Sequence, residues 1–202
     1  MNIERIASNG LRKFPAARSV LKIAYQLVGY AITRAKFSSS EISLAPIRPI
    51  TKGSRHHYFG YYDKSPWDQA DKRILSLEVD QSSSAPKIGQ MAEIGYVDSE
   101  NLYFHPFAET KTWNFQQGCM LQWLPPDYDD RVIFNDFEDG QYVSRLVSLE
   151  TNEQTTLDRP IYCVSPTGKS ALSLDFSRLH RLRPGYGYIN LTCPLKRYQG
   201  LC

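Results

Sequence analysis

The 202-residue chain is short of cysteine, nearly balanced in charge and without a long clean apolar run. Its four cysteines, Cys119, Cys163, Cys193 and Cys202, make no CxxC pair and no metal-ligand spacing. Cysteine usage therefore points to a reduced, cytoplasmic protein, with Cys119 and Cys163 as buried thiols in apolar strand-like contexts. A net charge of +3 is too small to argue for a nucleic-acid partner. No Ser-His-Asp order, no phosphate-cradling glycine loop and no zinc signature stands out. Residues 19–33 (SVLKIAYQLVGYAIT) are apolar but interrupted by Lys22 and Gln26. They fall short of the roughly 18–20 clean apolar residues that a spanning helix needs. No small-residue cleavage site follows them, so no secretory signal is read.

What is abundant is aromatic. Thirteen tyrosines bring the aromatic share to 12% in an otherwise ordinary globular composition. Tyrosine and tryptophan suit half-buried sheets, and they also suit sugar-binding clefts. The charge excess is local. Residues 1–36 carry Arg5, Arg12, Lys13, Arg18, Lys22, Arg34 and Lys36 against Glu4.

In that segment Val20, Ile23, Ala24, Leu27, Val28 and Ala31 recur at three- and four-residue steps, which predicts a helix. Pro15 is expected to separate a short first turn from it. A basic amphipathic helix can lie on a membrane surface, which makes peripheral membrane contact one partner expectation. A helix packed on its own domain, or left loose at the terminus, is the alternative. Residues 37–54 read as a linker without helical period.

From His56 the pattern changes to strands. Short strands are expected at Tyr58–Tyr62, Arg73–Val79, Met91–Val97, Gly118–Trp123, Arg131–Asn135, Tyr142–Leu149, Gln154–Leu157, Ile161–Val164 and Ser170–Phe176. Three starts share one grammar of strand, proline turn, strand, at Pro66, Pro125 and Pro166. The 41-residue step between the last two fits the repeat of a propeller blade, about 40–50 residues. The longer first step is assigned to an insertion at 98–112. The expected fold class is all-β. Its architecture is a partial β-propeller of about three blades over residues 55–202, after an N-terminal helix. A β-sandwich is the competing arrangement.

Three stretches carry candidate chemistry. His56 and His57 are neighbours on a strand, so at most one faces a given cleft. Either is a possible general base or a surface residue. With Asp63 they also give an unspecific metal-ligand spacing. Trp113, Gln116 and Gln117 place amides between aromatics before Gly118, as in a glycan-binding loop or a loop that satisfies backbone groups. The run 159–188 supplies Tyr162, Asp175 and a cationic patch of Arg178, Arg181 and Arg183 with Tyr186 and Tyr188. Arginine suits bidentate recognition of a carboxylate or phosphate.

The segments HHYFGYYDKSPWD, WNFQQGCMLQW, RPIYCVSPTGKSALSLDFSRL and RPGYGY resemble bacterial TolB-like propeller proteins related to ulvan-type polysaccharide lyases. Oligogalacturonate lyases are more distant relatives. The resemblance covers about residues 55–188. It implies a seven-bladed propeller that performs β-elimination on a uronic-acid glycan. By motif position it makes Tyr162 the proton-transferring tyrosine and Arg178 the arginine that neutralises the sugar carboxylate. One of His56 or His57 would be a catalytic histidine. From the residue patterns themselves, Trp113, Gln116, Gln117, Arg181, Tyr186 and Tyr188 are the expected substrate contacts. The implied partner is an acidic polysaccharide or oligosaccharide; no cofactor is assigned. Room for about three blades leads to the expectation of a truncated member, either lyase-like or inactive. The alternative is a non-catalytic glycan- or protein-binding module of surface-polysaccharide production.

Overall fold

A computed structural model describes residues 15–36, 47–80 and 85–191. They belong to two compact units that divide between Arg48 and Pro49. The first contributes helix α1 (Pro15–Lys36). Proline suits its first position, where the missing N–H has no helical partner in any case. Val20, Ile23, Leu27, Val28 and Ile32 on α1 are all exposed. The turn expected before Pro15 and most of the linker, residues 37–46, lie outside the described residues, as do Cys193 and Cys202. Among the described residues no helix is long and apolar enough to cross a membrane.

The second unit is built of antiparallel strands. β1 (His56–Tyr58), β2 (Arg73–Val79), β3 (Ala92–Asp98) and β4 (Phe104–Thr110) form one four-stranded sheet in sequence order. β5 (Gln122–Trp123), β6 (Arg131–Glu138), β7 (Gln141–Ser148) and β8 (Gln154–Leu157) form a second. β9 (Cys163–Val164) pairs with β10 (Ala171–Leu172), and helix α2 (Phe176–Leu182) follows. The fold is all-β with two helices, and no sheet closes on itself among the described residues.

Local chemistry explains these elements. In β2, alternation in RILSLEV sends Leu75, Leu77 and Val79 to one face. They pack with Ile94 of β3 and, across the gap between sheets, with Val132 and Phe134 of β6, Val147 of β7 and Trp123 of β5. The two sheets are thus stacked on one core. Each fully buried Leu or Phe there stabilises the stack by roughly 1.5–3 kcal/mol. The other face of β6 packs Ile133 with Ile161, Phe176 and Tyr188 in a second core. This two-sided burial is why VIF, residues 132–134, reads as a continuous apolar run. The β6–β7 hairpin turns on Asp139 and Gly140, both at positive φ (49° and 79°), the pair that a two-residue turn demands.

The three proline turns lie side by side. Trp123 Nε1 donates to Pro66 O at 2.9 Å, and Gln69 N donates to Tyr128 O at 3.0 Å. Gly168 of the third turn abuts the Pro125 ring. Asp68 anchors the first turn from a buried position, accepting from Lys72 N, Arg73 N and Arg73 Nε. Burial alone would raise its pKa. Those hydrogen bonds outweigh the burial and hold the carboxyl below its ordinary range.

The structure corrects several expected elements. Residues 98–112 are no insertion, because they contain β4, the fourth strand of the first sheet. The strand expected over Gly118–Trp123 shrinks to β5, because Gly118 and Met120 take positive φ (57° and 58°) in a tight turn. The strand expected over Tyr58–Tyr62 is displaced to His56–Tyr58, and Gly60 at φ 146° takes the chain out of the sheet. Ser170–Phe176 is strand only at Ala171–Leu172. Asp175 is instead the N-cap of α2, its carboxylate accepting from Arg178 N at 3.0 Å and Ser177 Oγ at 2.6 Å.

Asn135 ties the layers together. It is fully buried in β6. Its Oδ1 accepts from Ile161 N at 2.7 Å, and its Nδ2 donates to Ile161 O at 2.9 Å and to Tyr188 Oη at 3.1 Å. Its own N–H donates to Cys119 O at 2.7 Å, and its carbonyl accepts from Thr110 Oγ1 at 2.8 Å. Asn135→Leu keeps the volume but orphans both backbone groups of Ile161. At about 1–3 kcal/mol per orphaned buried group, a loss of about 2–6 kcal/mol is expected in urea unfolding followed by tryptophan fluorescence. Tyr188→Phe removes a single acceptor and should cost about 1 kcal/mol. Equal, small effects of the two would show that Asn135 is not the junction.

Candidate functional site

Two glycines and an asparagine build the candidate site. After β1 the backbone at Gly60 runs against the Gln117 carbonyl. A Cβ on Gly60 would meet that oxygen at 2.8 Å. Gly118 abuts Phe59 O just as closely: a Cβ there would meet it at 2.5 Å. Side chains are thereby excluded at both positions, and the 59–64 loop is fixed on the 114–118 turn. Asn114 holds that turn by accepting from Gln116 N and Gln117 N. Its amide donates to Tyr186 O and Gly187 O, each at 3.3 Å, which brings in the loop after α2.

These contacts gather aromatic rings and cations. The Tyr61 and Tyr62 rings are 4.1 Å apart, their hydroxyls 3.1 Å apart, and Tyr61 meets Tyr186 edge-on at 6.3 Å. The Arg183 guanidinium lies 3.8 Å over the Tyr186 ring and donates to its hydroxyl at 3.1 Å. Lys64 Nζ sits 4.9 Å over the ring of Tyr162 and 2.8 Å from Asp63 Oδ2. The hydrogen bond with Tyr62 pushes the Tyr61 phenol up to about 12. Burial, and then the Asp63 charge, raise the Tyr162 phenol, so it keeps its proton at neutral pH. Tyr62 is 86% exposed and offers its ring to solvent.

Lys64 also borders a cleft of about 390 Å³ between the proline turns. Trp67, Gln122, Tyr128 and Ser165 line it, and Trp67 is 39% exposed. Cations on aromatic faces beside a cleft are suited to an anionic ring compound. The rings take its apolar face, and Lys64 and Arg183 take its charge.

The other sequence candidates lie elsewhere. His57 Nε2 is 2.7 Å from Glu78 Oε2, a contact poorly aligned for a hydrogen bond, and its ring meets Phe104 edge-on at 5.1 Å. The His57 side chain is only 5% exposed. Glu78 also pairs with Arg55, which reaches Glu93 at 2.5 Å and Asp80 at 3.0 Å. Glu78 and Glu93 face each other across β2 and β3, and Arg55 offsets their repulsion. The Glu93 hydrogen bond, followed by burial working against it and the charges of Glu78, Glu93 and Asp80, leaves the Arg55 pKa raised. His57 therefore lies buried against Glu78, beside the Arg55 ion pairs of the first sheet. His56, its neighbour, is exposed. Asp63 pairs with Lys64 at 2.8 Å. Among the described residues no group of three or more His, Cys, Asp or Glu could hold a metal ion.

Arg178 stands on α2 and lines a separate cavity of about 710 Å³ with Tyr142, Asp158, Arg159, Leu174 and Leu182. Trp113 and Tyr188 are core residues and offer no face to a ligand. Trp113 is 3% exposed and donates Nε1–H to Gln90 O at 2.8 Å, and Tyr188 is fully buried. Gln117 is buried, whereas Gln116 and Arg181 are exposed. Of the sequence candidates, Asp63, Tyr162, Arg183 and Tyr186 stand in the ring-and-cation cluster. The residues that sequence reasoning missed are Tyr61, Tyr62 and Lys64 as parts of one site. Their signal is FGYYDK, where a glycine releases the chain from the sheet just before two tyrosines and a charge pair.

The Tyr162–Asp63 interaction has a measurable sign. In Asp63→Asn the negative neighbour is gone, so the Tyr162 phenol should ionise at lower pH, still above its ordinary value because burial remains. The tyrosinate absorbance of the Asp63→Asn chain, less that of Asp63→Asn/Tyr162→Phe, isolates this titration. An unmoved midpoint would show that Asp63 does not act on Tyr162.

Comparison with protein-family models, with curated proteins and with solved structures finds no match to this chain.

Proposed function

We propose that the strand-rich unit is a propeller-type module that binds an acidic oligosaccharide across Tyr61, Tyr62, Tyr162 and Tyr186 and along the cleft from Lys64 to Trp67. The observation that carries this reading is the placement of Lys64 and Arg183 on tyrosine faces. A pyranose stacks its C–H face on such rings, and its carboxylate takes a charge-assisted hydrogen bond from either cation. The propeller reading is supported by two stacked four-stranded meanders and by three equivalent proline turns lying side by side. The sequence resemblance to polysaccharide lyases points to the same substrate class.

A second reading, β-elimination on a uronic acid, draws on Tyr162. Its protonated phenol is the form that can protonate a leaving glycosidic oxygen, and Lys64 beside it can neutralise the sugar carboxylate. His57, held by Glu78, and Arg178, in another cavity, are less suited to the roles that the resemblance gives them. Binding is therefore the preferred function.

Calorimetric titration with oligouronates and with neutral oligosaccharides of the same length tests it. Binding selective for the oligouronate is expected, with Lys64→Ala or Tyr186→Ala weakening it by about tenfold, the scale of one partly desolvated cation–ring contact. Equal binding of both sugars, or full affinity in Lys64→Ala/Arg183→Ala, would defeat the proposal. Ultraviolet absorbance from an unsaturated product, lost in Tyr162→Phe, would move the reading to the lyase.

A further inference from the structure

We propose that α1 lies in the plane of an anionic membrane surface, its apolar face in the lipid. This inference is independent of the glycan reading. At 3.6 residues per turn, Arg18, Lys22, Gln26, Gly29, Thr33 and Lys36 fall at register positions on one face of α1. The apolar positions cover the remaining arc of about 220° of the helix circumference. Arg34, in the last turn, is the single cation whose register position falls inside that arc. Val20, Ile23, Leu27, Val28 and Ile32 occupy the arc, and each is more than half exposed. So wide an apolar face covers itself in water only by finding an apolar phase or a partner.

Charge and aromatic placement select the lipid surface. Helix α1 contains four cations and no acidic residue. The whole segment 1–36 has seven cations against one Glu. An apolar face flanked by such a polar face suits anionic headgroups, whereas an acidic protein groove would have to be both wide and apolar. The two tyrosines, Tyr25 and Tyr30, take the register positions at the two borders of the apolar arc and are 71% and 63% exposed. Borders of this kind sit at headgroup depth, where an apolar ring with a polar tip is favoured. Thr33, on the polar face, donates its hydroxyl to Gly29 O at 2.8 Å. Spanning is disfavoured, because α1 is not apolar enough to cross a bilayer.

The experiment is sedimentation of the full chain with vesicles of phosphatidylglycerol and phosphatidylcholine in equal parts, and with phosphatidylcholine alone. Partition into the anionic vesicles is expected to be at least about tenfold stronger, since each basic residue near an anionic surface adds to binding. It should fall as salt shortens the range of the attraction. Ile23→Asp/Leu27→Asp should abolish sedimentation with either vesicle. Arg18→Glu/Lys22→Glu should remove the preference for anionic lipid. Trp67, Trp113 and Trp123, the three tryptophans, all lie in the other unit, so unchanged tryptophan fluorescence shows that the variants leave the strand-rich unit folded, and unchanged far-ultraviolet circular dichroism shows that they keep α1. The proposal is overturned if the chain stays in the supernatant with anionic vesicles. It is equally overturned if partition ignores lipid charge, if alkaline carbonate fails to extract the bound chain, or if light scattering shows a lipid-free dimer that Ile23→Asp/Leu27→Asp dissolves.

Discussion

A single buried amide holds the stacked layers in register. Sheets that meet only through apolar side chains can slide, because hydrophobic contact has no direction. Asn135 supplies direction. Its side chain completes both backbone bonds of Ile161, just before the third strand pair, and reaches Tyr188 beyond α2. Its main chain meets the Thr110 hydroxyl at the end of the first sheet and the Cys119 carbonyl before β5. Every polar atom of the residue is in use, so the cost of burying it is offset only in this one arrangement. The loops of the candidate site hang on the same junction. Tyr188 fixes the end of the segment that carries Arg183 and Tyr186, and Cys119 follows the turn on which Tyr61 rests.

Much of the fold is legible along the chain because burial here is largely periodic. β2, β3, β6 and β7 show the alternation or the branched apolar run of strands buried on one or both faces. The proline turns between strands are local chemistry. β4 was missed because FHPFAET carries a His, a Pro and a Glu, all three exposed, and buries only its last residue. An edge strand need satisfy only one neighbour, so its composition gives little sign of pairing. α2 was missed for a different reason. Its seven residues are too short to establish a helical period, and its surest signal is the Asp175 cap, which reads equally well as a loop aspartate.

The site was legible as an inventory but not as an arrangement. Tyr162 and Tyr186 could be named from the sequence. That Tyr186 meets Tyr61, 125 residues earlier, depends on Asn114 bonding to the backbone of Tyr186 and Gly187. Main-chain acceptors leave no mark in the sequence. Trp113 and Tyr188 misled for the converse reason. A tryptophan or tyrosine in a polar-looking stretch reads as a platform, yet each has its polar atom satisfied inside and its ring in a core. His57 shows the same ambiguity. A histidine beside aromatics invites a catalytic role, while cross-strand register delivers it to Glu78.

The arrangement of rings and cations bears on how a ligand would be bound. A lone lysine on a flexible loop loses rotamer freedom when it grips an anion, which weakens the grip. Here the loop is pinned by backbone contact at Gly60 and Gly118, and the lysine is already held between Asp63 and the Tyr162 ring. Arg183 is likewise held flat on Tyr186. Much of the ordering cost is therefore met within the folded protein. Asp63 opposes the gain, since an incoming carboxylate must compete with it for Lys64. That competition favours a ligand with several anionic groups over a single small anion, because a second charge can engage Arg183 on the Tyr186 ring while the first contends with Asp63.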